Sequence, residues 1–127
     1  MQPSTILAIL ATAATASASC YNSAGGQWFG VEGKELARGF IDQICTSGGV
    51  AGDFTAQQEK VSCHTVTAET TFNFAVKWTA PGGLDNGVLS DADCKERLKN
   101  EVNGCHAGGK SHFGGWEFMS DANVDKC

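Results

Sequence analysis

The side chains with the widest chemical reach in this chain are three tryptophans, Trp28, Trp78 and Trp116, three histidines, His64, His106 and His112, and the amide and carboxylate groups that accompany them. An indole face can lie flat on the apolar C–H face of a ring-shaped polar ligand while neighbouring Asp and Asn groups bind its hydroxyls. Trp116 is followed by Asp121 and Asn123, and Asn73 and Lys77 fall on the wetter side of an alternating stretch. Trp116, Asp121, Asn123, Asn73 and Lys77 therefore form one candidate surface, with Trp28, beside its glycines, as a second exposed aromatic. Trp78 shares its side of the alternating stretch with Phe72, Phe74 and Val76 and reads as core. Core packing competes for Trp28 and Trp116 as well, and Asp121 and Asn123 are ordinary turn formers.

The histidines match no helical or ribbon metal spacing, so no metal is expected. His64, Glu69, Arg97 and His112 are the residue types with which a small ribonuclease moves protons and holds phosphate, provided they converge. Nine basic against fourteen acidic residues leave a net charge of −5, which gives no pull on nucleic acid. There is no Gly-x-Ser-x-Gly elbow, Walker loop or HExxH. These residues predict a binding protein and not an enzyme, with no cofactor and no nucleic-acid partner.

The elements that must position these groups begin after residue 18. Residues 1–18 carry no ionisable side chain, run through Ile6–Ala11 as an apolar stretch, and end in Ala16-Ser17-Ala18. They read as a signal peptide cut after Ala18, leaving residues 19–127 as one secreted domain with no membrane span. Six cysteines, Cys20, Cys45, Cys63, Cys94, Cys105 and Cys127, lie in that domain, without the close pairing of a metal ribbon. In a small exported chain they predict three disulfides.

Leu36, Ala37, Phe40, Ile41, Ile44 and Cys45 recur at three and four between Glu32 and Cys45, which predicts an amphipathic helix stopped by Gly48-Gly49. Phe54–Cys63 is a weaker strand, and Thr70–Thr79 alternates strongly enough to be the principal one. Ala80–Leu89 reads as a loop. Ser90 caps a second helix whose first turn holds Asp91 and Asp93 and whose inner stripe is Cys94, Leu98 and Val102, ending at Asn103-Gly104. Gly108-Gly109 and Gly114-Gly115 bracket a turn before a last strand at Trp116–Met119, and Gln27–Phe29 is a further short strand. This order predicts an α+β fold, two helices on a four- or five-stranded antiparallel sheet. Strand residues rise about twice as far as helical ones, so the last strand should retrace the second helix. That places the tail near the helix start and makes Cys94 with Cys127 the expected disulfide; the other pairings stay open.

The start Cys20-Tyr21-Asn22-Ser23-Ala24-Gly25-Gly26-Gln27-Trp28, the turn Gly104-Cys105-His106-Ala107-Gly108-Gly109 and the close from Gly114-Gly115-Trp116-Glu117-Phe118 through Asp121-Ala122-Asn123 to Cys127 resemble the Y3-like family of small secreted, cysteine-rich fungal glycan-binding proteins. The chain is also similar in pattern to effectors of the KP6 killer-toxin type. Family members tend to close on Asp-Pro-Asn and a glycine before the last cysteine; Ala122 and Val124-Asp125-Lys126 depart from that here. The resemblance implies an α/β or α/β/α sandwich, no catalysis, an extracellular glycan or glycoprotein as partner, and homodimers through sheet edges. A toxin-like effector acting by protein or membrane contact is the alternative it carries.

Overall fold

The computed structural model describes residues 16–21, 29–46, 48–124 and 126–127. The three-and-four spacing after Phe29 closes into helix α1 (Gly30–Ile44). Ala37, Ile41 and Cys45 are fully buried along one stripe, with Phe40 and Ile44 packed at its margins, whereas Leu36 falls outside it and is exposed. Beyond the helix the Val50 N–H donates back to the Ile44 carbonyl at 2.8 Å while Gly48 and Gly49 take positive φ. A β-carbon on Gly49 would strike that carbonyl, so the chain reversal needs glycine there.

The segment expected as one strand over Phe54–Cys63 divides into β2 (Gly52–Phe54) and β3 (Glu59–Thr67). A turn separates them, in which Gln57 takes positive φ and the Gln58 side chain accepts from the Thr55 N–H. The principal strand, β4, spans Thr70–Trp78. The Ala80–Leu89 loop holds a 3-10 turn at Pro81–Gly83 and a short strand, β5 (Gly87–Leu89), which pairs antiparallel with β2.

Helix α2 (Asp91–Gly104) starts as its sequence dictates, the Ser90 hydroxyl accepting from the Asp93 N–H at 3.1 Å. Cys94, Leu98 and Val102 are fully buried, and Glu101 joins that stripe. After it the chain makes two strands, β6 (Gly108–Phe113) and β7 (Trp116–Asn123), where one strand and a turn were expected. The two glycines at 108 and 109 are strand residues: a β-carbon on Gly108 would meet the Ser120 carbonyl, and one on Gly109 the Ser19 carbonyl.

Strands β6, β7, β4 and β3 join β1 (Ala16–Cys20) in a five-stranded antiparallel sheet of order β1-β6-β7-β4-β3. Ala16–Ala18, drawn above as the end of the leader, pair with Phe113–Ser111 of β6. One sheet face carries Phe72, Phe74, Val76, Phe118, Ser120 and Ala122, all buried under the helices. Phe72 meets Phe29 and Phe40 of the α1 side, and Ser120 donates to the Leu98 carbonyl of α2 at 2.7 Å. Both helices thus cover the same face, which makes the fold a two-layer α/β sandwich and not the three-layer form. The helices run antiparallel: Lys99 pairs with Asp42 at one end, while Lys34 and Arg38 reach Asn103 at the other. Among the described residues no helix covers the second face, called the open side below. Among the described residues no helix is long and apolar enough to cross a membrane.

All six cysteines are paired, Cys20 with Cys105, Cys45 with Cys94 and Cys63 with Cys127. The expected Cys94–Cys127 bridge is replaced. β6 already makes the return along α2, so β7 runs back the other way and delivers Cys127 to β3, while Cys94 faces Cys45 across the helix pair.

Candidate functional site

The structure divides the expected binding surface in two. Trp116 is on the helix side of β7, whereas Asp121 and Asn123, five and seven residues later, are on its open side. Alternation along a strand forces that result, since an odd separation reverses the face, and five residues also carry the chain about 17 Å. Asn73 and Lys77 are on the open side of β4, Asn73 directly opposite Asp121 and Lys77 opposite Glu117. The Asn123 amide donates to the Asp121 carboxylate at 2.8 Å. Asn73, Asp121 and Asn123 thus gather into one polar group, beside a shallow depression of about 340 Å³ edged by Val61, Cys63 and Met119. Trp116 is not part of it. Trp28 lies outside the described residues.

Trp116 has another setting. It stands directly opposite Trp78, ring centroids 4.6 Å apart, and edge-on to Phe54 at 4.9 Å. Trp78 is core, as its strand face required. Trp116 stays partly exposed and forms the wall of a cleft of about 200 Å³ between the start of α2, strand β5 and the β6–β7 turn. Val88, Leu89, Phe113 and Phe118 complete the apolar lining, and Asp93 and Arg97, four residues apart on α2, supply its charged groups. The Arg97 guanidinium lies over the Phe113 ring, 3.7 Å from its centroid. Stacking takes up its flat face and leaves its N–H edge for hydrogen bonds. This cleft therefore offers an aromatic wall, a fixed cationic donor and an anionic acceptor within one small volume. Sequence reasoning missed Asp93, because a first-turn carboxylate reads as a helix-dipole partner, and missed Phe113 altogether.

The close packing behind Trp116 depends on Gly87 of β5. A β-carbon there would come within 2.8 Å of the Trp78 ring and 3.1 Å of the Trp116 ring. Gly115 of the β6–β7 turn likewise leaves room beside Trp78, since a β-carbon there would strike Pro81 and come within 3.1 Å of the Trp78 ring, and its carbonyl accepts from the Thr79 hydroxyl at 2.7 Å.

The acid, base and phosphate-holding set does not assemble. His64 is on the helix side of β3, stacked on Phe40 at 4.2 Å and hydrogen-bonded to Ser62, and burial lowers its pKa. His112 is on the open side of β6, with β7 and β4 lying between it and β3, and is 3.4 Å from Glu117. Arg97 is held over Phe113, and Glu69 sits in the β3–β4 turn. Among the described residues no group of three or more His, Cys, Asp or Glu side chains could hold a metal ion.

One buried carboxyl stands apart from both surfaces. Glu101 of α2 is 3% exposed, and one of its oxygens has no hydrogen-bond partner among the described residues. Burial pushes its pKa up to about 7, against the smaller opposing pull of the Ser111 hydroxyl and of Arg97. No protein-family model, curated protein or solved structure matches the chain.

Proposed function

We propose that the protein is a secreted, non-enzymatic carbohydrate-binding protein that holds an extracellular glycan or glycoprotein at the cleft beside Trp116. Three disulfides suit an oxidising, extracellular setting. The observation that carries the reading is the pairing, in one cleft, of a braced indole with Asp93 and Arg97. A pyranose ring has apolar C–H faces and a rim of hydroxyls that both donate and accept, so an aromatic wall beside one donor and one acceptor meets each of its surfaces. Affinity arises from stacking and directional hydrogen bonds, and the ligand leaves unchanged.

A glycan array on the oxidised protein, followed by titration calorimetry on its hits, tests this. Arg97→Ala and Asp93→Asn, each checked for an unchanged near-ultraviolet circular dichroism spectrum, should weaken the best hit at least tenfold. An array without a hit, or a hit indifferent to both substitutions, refutes the reading. Killing of cells that free sugar fails to compete would favour the toxin-like alternative.

A further inference from the structure

The cleft beside Trp116 does not end at β5. Val88 is its outer lining residue and also lines a second depression of about 400 Å³, on the far side of the same strand, with Asp53, Thr55 and Asn86. Val88 is 72% exposed and stands directly opposite Asp53 in the β2–β5 ribbon. The two depressions share this one exposed apolar side chain, so a ligand that passes over Val88 would touch both and use them as one groove. Along it, apolar surface alternates with hydrogen-bonding groups: Asp93 and Arg97, then Val88, then Asp53, Thr55 and Asn86.

Given the carbohydrate reading above, on which this rests, we infer that the groove binds an internal stretch of a linear, neutral oligosaccharide and not a single terminal sugar. The smaller depression seats one ring beside Trp116; the other has twice its volume, so the groove as a whole accommodates about three rings. Neutrality follows from charge. Arg97 is the cation of the lining and is tied to Phe113, Asp93 stands beside it, and Asp53 holds the opposite end, so a carboxylate or sulfate on the ligand would face an aspartate in either depression. The backbone of this second depression is held by antiparallel strand pairing, Gly87 with Phe54 and Val88 with Asp53, and Phe54 is itself edge-on to Trp116. The two halves are therefore joined through the β2–β5 ribbon and the Phe54–Trp116 contact.

Titration calorimetry with neutral glucose, mannose and N-acetylglucosamine oligomers of one to five rings tests the inference, alongside oligomers of uronic acid. For the series that binds, affinity should rise at least tenfold from one ring to three and then level off. Asn86→Ala and Val88→Ser, both at exposed positions, should cut that gain to less than threefold, whereas Arg97→Ala should lower affinity at every length. Affinity independent of length, an unaltered gain in the Asn86 and Val88 variants, a rise that continues to five rings, or tighter binding of the uronic acid series would each overturn it while leaving a single-ring lectin at Trp116 intact. Absence of binding by any sugar, here and on the array, would remove both.

Discussion

Glu101→Gln should abolish a pH dependence of stability that the parent protein shows between pH 4.5 and about 7. The carboxyl is buried on α2 with Ser111 of β6 as its hydrogen-bond partner and Arg97 one turn away, and its pKa rises from 4.5 to about 7 on folding. Between those values the native state holds a proton that the unfolded chain has released, so the unfolded chain binds fewer protons and stability falls as pH rises. At about 1.4 kcal/mol per pKa unit the full shift amounts to about 3 kcal/mol, present below pH 4.5 and lost by pH 8. That is an upper limit, because relaxation and water penetration around a buried charge reduce its penalty. For a domain of this size it corresponds to roughly 10–15 °C in Tm. His64 acts in the opposite sense: burial lowers its pKa, so its contribution to stability falls as pH drops from the unfolded value toward the folded one. The difference between parent and variant cancels that term. Urea denaturation of both proteins at pH 5 and pH 8 reads the effect, and parallel pH slopes would refute the assignment of the proton to Glu101.

Two glycine substitutions should act with opposite sign. Gly39→Ala, in the middle of α1 with open space where the β-carbon would go, should stabilise by about 0.5–1 kcal/mol, whereas Gly108→Ala, at φ 91° and against the Ser120 carbonyl, should cost more than about 2 kcal/mol; denaturation midpoints check both. Ser90→Ala removes the hydroxyl that caps α2 and should lower stability by about 1 kcal/mol in the same assay. Replacing Cys45 and Cys94 together by alanine opens a loop spanning 49 residues and should cost about 4 kcal/mol on chain-entropy grounds, with peptide mapping of the parent recovering a Cys45–Cys94 linked pair.

The elements that were legible before the structure are those whose apolar residues follow one period without interruption. Helix α1 carries its stripe through Ala37, Ile41 and Cys45, β4 alternates through Phe72, Phe74, Val76 and Trp78, and α2 adds a side-chain cap to a buried Cys94, Leu98 and Val102. Strand β6 was illegible for a physical reason. Its inward positions are Gly109, where a β-carbon would strike the β1 backbone at Ser19, and Ser111, whose hydroxyl meets Glu101, so the apolar alternation that marks a strand is absent and the glycines read as a turn. That single omission propagated: one uncounted strand reversed the direction of the tail and misassigned the partner of Cys94. The β2–β5 ribbon escaped notice because three-residue strands leave no period to detect.

The candidate site shows the same division between local and long-range information. Alternation alone separates Trp116 from Asp121 and Asn123, so that part of the error was avoidable from the sequence. What brings Trp116 together with Asp93, Arg97 and Phe113 is the packing of α2 on the β6–β7 hairpin, which depends on Ser120 meeting the Leu98 carbonyl and on Gly87 leaving room beside Trp78. Neither contact has a local signature. The residues that fix Trp116 are themselves buried, whereas Arg97, Asp93, Val88 and Asn86 project from elements already anchored by the core. If the groove binds the ligand proposed for it, substitutions at those four positions should change that binding with little effect on folding, and Trp78, Phe54 and Gly87 should reach it only through the stability of the wall they support.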